Sequence, residues 1–249
     1  MIARLPRLLT ALPALLALTT PVHADEVMAA VAANFTNPAQ EIAALFTAET
    51  GHEVTLSFGP SGQFYTQITQ GAPFEVFLSA DAARPAKAID EGFGVPGSAF
   101  TYARGKLVLW SADPHTVTGP EALQAAPEHV AIADPSSAPY GAAAMEVLAA
   151  LGLNDALQDK IITGKSIAQA YQFTASGNAP LGFVAMSQVA GDTSGSSWVV
   201  PGDLYSPIKQ DAVLLTPGAN DPAAQAFLDF LKTEAATAII VKYGYETAE

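Results

Sequence analysis

The stretch VMAAVAANFTNPAQEIAALFTAETGHEVTLSF, Val27 to Phe58, decides the fold class. Val27 to Ala33 is an unbroken apolar run, the pattern of a strand covered on both faces. Pro38 to Thr50 has helical spacing, with Ala39, Ile42, Leu45 and Phe46 on one face and Gly51 as the stop. Asn37 stands where an N-cap belongs, and Pro38 suits the first helical position. Glu53 to Phe58 alternates Val54, Leu56 and Phe58, which predicts a second strand. Strand, helix and strand in succession form the unit of an α/β protein.

The rest of the chain repeats that unit. Gly59-Pro60-Ser61-Gly62 is a turn, Gln63 to Gln70 a short helix ended by Gly71, and Phe74 to Ala80 a third strand before a helix over Pro85 to Glu91. Further strands are expected at Lys106 to Ser111, His129 to Ala133, Leu181 to Met186 and Ile208 to Leu215. Helices are expected at Ala142 to Leu151, Ser166 to Ser176 and Pro222 to Tyr243, the last broken near Lys232. A glycine- and serine-rich loop runs from Gly191 to Ser197. There is no internal repeat and no linker-like tract after the leader, so any second domain is joined by strands.

Composition narrows the function. The 249 residues are 50% hydrophobic and 14% charged, enough for a large core and unlike a disordered chain. A formal charge of −13 argues against nucleic acid and against an acidic membrane surface as partners. The absence of cysteine excludes disulfides, thiolate metal sites, a cysteine nucleophile and a lipid anchor built on cysteine. Met1 to Ala24 reads as a secretory signal: Arg4 and Arg7, an apolar run from Leu8 to Leu18, then the small-residue site Val22-His23-Ala24. That run is shorter than the roughly 20 apolar residues of a membrane span. Cleavage after Ala24 removes two arginines and no acids, leaving a charge of −15 and a soluble exported protein suited to a periplasm.

Three loops place small polar groups between a strand and a helix: Ala32 to Asn37, Gly59 to Gly62, and Asp134 to Gly141. A helix that starts at the carboxyl edge of a parallel strand offers free N–H groups and a positive dipole end, and open α/β sheets bind ligands at that edge. Two such starts could hold an anion without lysine or arginine. The same residues taken one loop at a time also mean only a turn.

At these loops the chain resembles the periplasmic molybdate-binding proteins, the capture component of a molybdate ABC importer. The matching stretches are Ala32 to Asn37, Leu56 to Gln63, Gly71 to Asp81, Ile132 to Pro135 with Pro139 to Gly141, Asn178 to Gly182, and Ala226 to Lys232 with Tyr243-Gly244. The resemblance implies a two-lobed clamshell, each lobe a mostly parallel sheet flanked by helices, closing over one oxyanion. It places Asp25 to Ala103 and Val213 to Glu249 in lobe 1, and Arg104 to Ala212 in lobe 2. The implied ligands are Asn34 through its backbone and side chain, Ser61 through hydroxyl and backbone, and Tyr140 and Ile167 through their N–H groups. The implied ligand is molybdate or tungstate, the metal held only as its oxyanion, with no metal ligated directly by the protein and no cofactor. The implied partner is a membrane permease, with no membrane insertion and a monomeric protein. The chain departs from the best-known members by Asn34, where they have serine, and by Ala185, where they have a ligand tyrosine. A subset pairs asparagine in the first loop with tyrosine in the proline–tyrosine–glycine loop, so Tyr140 is the candidate substitute for that phenol.

Net acidity is compatible with an anion ligand, because surface carboxylates are screened over about 8 Å at ~0.15 M salt. About seven charge-assisted bonds at ~1.5 kcal/mol net each give roughly 10 kcal/mol before binding costs. Donors without acceptors favour a fully ionised tetrahedral anion over protonated phosphate, whereas sulfate has the same charge and shape. Sulfate binding is therefore the main alternative. A serine hydrolase using Ser61 is a remote one, since Gly59-Pro60-Ser61-Gly62-Gln63 lacks the final glycine of a nucleophile elbow. His52, His115 and His129 are too far apart for a helical metal motif. Intact-mass measurement of the exported protein is expected to give a chain beginning at Asp25; any other first residue moves the cleavage site.

Overall fold

The computed structural model describes residues 25–247; the signal segment and its cleavage site lie outside the described residues. Strand β1 (Glu26–Ala32) leads through a 3-10 turn at Ala33–Phe35 into α1 (Thr36–Thr50). There follow β2 (Glu53–Gly59), α2 (Ser61–Thr69), β3 (Val76–Leu78), α3 (Ala83–Asp90) and β4 (Phe100–Gly105). The chain then forms β5 (Leu107–Ser111), α4 (Glu121–Gln124), β6 (Val130–Ala133), α5 (Pro139–Ala150), α6 (Asn154–Leu157), β7 (Ile161–Gly164) and α7 (Ile167–Ala175). It ends with β8 (Leu181–Ala185), α8 (Met186–Val189), β9 (Ser196–Val199), β10 (Ile208–Leu214), α9 (Pro222–Phe230) and α10 (Glu234–Lys242).

The strands form two five-stranded sheets of the same plan, β2-β1-β3-β10-β4 and β7-β6-β8-β5-β9. The pairs of β1 with β2 and β3, and of β6 with β7 and β8, are parallel. In each sheet one strand runs against the others: β10 in the first and β5 in the second. These are the strands by which the chain enters a sheet from the other one. The crossing from β4 to β5 takes a single residue, Lys106, and the return runs from Val200 to Pro207. Beside the hinge, within the first lobe, Glu246 pairs with Arg104 of β4 by N–H to C=O bonds of 2.8 and 3.0 Å. The chain thus changes sheet after Gly105 and before Ile208, so lobe limits at Ala103 and Val213 fall inside β4 and β10.

Each sheet is covered on both faces, which explains why its central strands are continuous apolar runs. In the first lobe Phe35, Ile42, Phe46, Phe227 and Ile240 pack on one face, and Phe64, Ile68 and Phe74 on the other. In the second, Leu123, Ile132, Val147 and Phe183 lie in the large core, with Val108, Trp110 and Val184 in a smaller cluster opposite.

Local chemistry sets the boundaries. Gly51 adopts φ 79°, a left-handed conformation that favours glycine, and donates its N–H to Thr47 C=O to end α1. Asn37 is not the cap of α1, which begins at Thr36; Pro38 falls in the first turn, where its missing N–H would be unpaired anyway. In the same way α5 begins at Pro139, ahead of the predicted Ala142. The break near Lys232 is made by Thr233, whose hydroxyl accepts from Ala236 N–H and starts α10. Three strands were not expected from sequence: β4, β7 and β9, each at a sheet edge. β9 includes Ser196 and Ser197, assigned above to a loop.

Phe227 is fully buried and meets Phe46 edge-on, ring centroids 5.3 Å apart. Phe227→Ala is expected to cost about 3–5 kcal/mol through the cavity it leaves. A urea midpoint shifted by less than about 1 kcal/mol equivalent would show that α9 does not anchor this lobe.

Candidate functional site

The sheets face each other across a cleft, with the carboxyl ends of β1 and β2 opposite those of β6 and β7. At each end a helix begins: the turn into α1 after β1, α2 after β2, α5 after β6, and α7 after β7. Asn34, Ser61, Tyr140 and Ile167 sit at these four starts, and all four line one cavity. Ala32, Ala33, Gly59, Pro60, Ala80, Ala138 and Pro139 complete its wall. Its volume is ≈ 10 Å³, near the room a single water-sized sphere needs.

Ser61, Tyr140 and Ile167 are first-turn residues, whose N–H groups have no acceptor inside their own helices. Among the described residues neither backbone nor side chain accepts from these N–H groups or from that of Asn34. The Ser61 hydroxyl accepts from Ala80 N–H at 2.9 Å, which fixes its oxygen and leaves its proton to donate. The α7 start is held by Ser166, whose side chain accepts from Gln169 N–H. Among the described residues, no charged side chain lines the cavity. Asp134, in the loop before α5, accepts from the Ser136 hydroxyl, the Ser136 N–H and the Ser137 hydroxyl; these bonds lower its pKa and tie it to its own loop.

The expectation for the Asn34 side chain is corrected. Its Nδ2 donates to Gln210 Oε1 and to Tyr245 Oη, both at 2.8 Å, so both amide protons are engaged away from the cavity. What Asn34 can offer a ligand is its main-chain N–H. The Tyr140 hydroxyl accepts from Gln210 Nε2 at 3.1 Å, placing the phenol at the hinge. Ala185 lies buried at the end of β8 and is not among the residues around the cavity. Burial pushes the phenols of Tyr102 and Tyr140 well above their ordinary pKa and that of Tyr245 up to about 12, so all three stay neutral at physiological pH.

The lobes touch around this cavity. Gly62 N–H donates to Ser137 C=O at 2.9 Å, and Ser187 Oγ donates to Asn34 C=O at 2.7 Å. A Cβ on Gly62 would stand 2.9 Å from the Ser137 Cα, so the approach requires glycine. Sequence reasoning did not place Gln210, Ser187, Tyr102 or Tyr245 at the site. Gln210 and Tyr102 sit in strands among residues of every kind, and no spacing marks them as partners.

The pattern described as Bacterial extracellular solute-binding protein matches residues 27–246. A molybdate-binding protein of Rhodobacter capsulatus is 68% identical, over 96% of this chain and 95% of its own. That of Azotobacter vinelandii is 57% identical, over 97% of each chain. The chain belongs to the family of bacterial extracellular solute-binding proteins, in its molybdate-binding branch. The solved periplasmic molybdate-binding protein of Azotobacter vinelandii superposes with a TM-score of 0.87 at 43% identity, covering 90% of this chain and all of that one. The two-lobed, mostly parallel α/β fold expected from the sequence is thus the fold of this family.

In a solute-binding protein of this build, the four helix starts present N–H donors and one hydroxyl to whatever fills the cleft. Such a set suits an acceptor-only anion, stabilised by charge-assisted bonds and by the aligned helix dipoles. Ser61→Ala is expected to weaken anion binding about tenfold to a hundredfold, and to lower stability because Ala80 N–H loses its acceptor. Calorimetric affinity unchanged within about twofold would take the hydroxyl out of the site.

Proposed function

We propose that this protein captures molybdate in the periplasm, closes its lobes over the anion, and presents the closed form to the permease of an ABC importer. The observation that carries this reading is the convergence of Asn34, Ser61, Tyr140 and Ile167, two from each lobe, on one small cavity without charged walls. The proposed ligands are the N–H groups of all four and the hydroxyl of Ser61. Because donors come from both lobes, the anion binds the closed state better than the open one, and closure becomes the signal. The high identity to molybdate-binding relatives supports the choice of anion.

Tungstate has nearly the size and charge of molybdate and should bind comparably. We assign no reaction to the protein: the Ser61 hydroxyl is paired with a backbone N–H, and His52, His115 and His129 lie away from the cavity wall. Among the described residues no cluster of three or more histidines or carboxylates could hold a metal ion, so molybdenum would be bound through its oxygens. No helix among the described residues is long and apolar enough to cross a membrane, in keeping with a protein that reaches its permease from the aqueous side.

Titration calorimetry of the mature protein, stripped of oxyanions, tests the reading. One-to-one binding of molybdate and tungstate is expected, with sulfate at least about a hundredfold weaker, a difference of roughly 2.7 kcal/mol. Comparable sulfate binding would make the site a general oxyanion trap, and no binding of any of them would overturn the donor assignment.

A further inference from the structure

The hinge side of the cavity carries a buried polar cluster that the capture reading does not use. Its centre is Gln210, 0% exposed, on the strand by which the chain re-enters the first lobe. The register of β10 against β4 slips between Gln210 and Asp211, an irregularity of the kind that re-aims a side chain. Gln210 Oε1 accepts from Asn34 Nδ2 at 2.8 Å and from Tyr102 Oη at 3.1 Å, while Gln210 Nε2 donates to Tyr140 Oη at 3.1 Å. Asn34 belongs to the first lobe and Tyr140 to the second. The cluster continues through Tyr245, whose hydroxyl accepts from Asn34 Nδ2 and lies 2.8 Å from Asn34 C=O and 3.0 Å from Ser187 Oγ.

We propose that Gln210 is a positioning residue for anion capture, joining the Asn34 loop of one lobe to the Tyr140 loop of the other so that lobe closure and assembly of the donor ring are one event. The inference rests on the capture reading above. Gln210 does not line the cavity, so it acts through the two loops it holds. A primary amide suits this place because it accepts at one end and donates at the other; a carboxylate could only accept, and would bury a charge. Asn34 contributes two protons to the cluster and keeps its main-chain N–H for the cavity. The bond from Gln210 to Tyr140 crosses between lobes. In a cavity this small, a slight shift between the loops alters the distances from several donors to one anion at once, which affects both affinity and size discrimination.

The test compares the mature wild type with Gln210→Met, which keeps length and burial but removes both polar ends, and with Tyr245→Phe, which removes one hydroxyl of the cluster. Molybdate and sulfate affinities and the molybdate dissociation rate would be measured, alongside thermal melting of the ligand-free proteins. Gln210→Met is expected to weaken molybdate binding about tenfold to a hundredfold, mainly through faster dissociation, and to narrow the molybdate-to-sulfate ratio. A merely structural role would lower the melting temperature while leaving affinity and ratio unchanged within about twofold, and that result overturns the inference. If Gln210→Met does not fold, Tyr245→Phe decides: weakening of about threefold or more supports the role, and unchanged affinity and ratio overturn it. Wild type that binds oxyanions beside variants that bind equally well defeats only this inference. Wild type that binds no oxyanion defeats both readings.

Discussion

Helix starts buried in a cleft impose the constraint on which this structure depends. The first N–H groups of a helix have no acceptor within it, and the cost of burying them falls on whatever fills the space in front of them. Here the turn into α1 and the starts of α2, α5 and α7 point into one cavity from two lobes. A small anion with acceptor oxygens on every side answers all of them together. The sheets, their covering helices and the crossing strands hold these starts in place. Their parallel central strands are what put successive helix starts at the same edge.

The hinge supplies a second kind of order. The chain crosses it twice, through one residue between β4 and β5 and through eight between β9 and β10. Behind the cavity the phenols of Tyr102, Tyr140 and Tyr245 meet the amides of Asn34 and Gln210. Such a cluster is worth most when every member is satisfied, and it defines one arrangement better than apolar packing would. Its groups stay neutral because burial raises the phenol pKa values, so this cluster sets no fixed charge beside the cavity.

The protein's acidity bears little on the ligand. Of the carboxylates near the site in sequence, Asp81, beside Ala80, pairs with Arg84, and Asp134 is turned into its own loop by Ser136 and Ser137. Selectivity then comes from donor geometry and cavity size. A site of neutral donors has no charge to attract every anion alike.

The sequence alone determined the α/β class and nearly every central element, because a strand covered on both faces must be apolar throughout, as Val27 to Ala32 is, and helices carry their own caps and stops, as at Gly51 and Thr233. It also marked the loops at Asn34, Ser61 and Tyr140, since a strand followed by small polar residues and a helix is a local pattern. The edge strands β4, β7 and β9 escaped, because with one unpaired side they need no continuous apolar run. Tertiary structure alone decided that the side chain of Asn34 turns to the hinge, that Gln210 and Tyr245 receive it, and that Gly62 lets Ser137 approach. Those partners lie far apart along the chain, and a hydrogen bond between distant residues leaves no periodicity in either segment. It exists only once the folded chain has brought the two segments together.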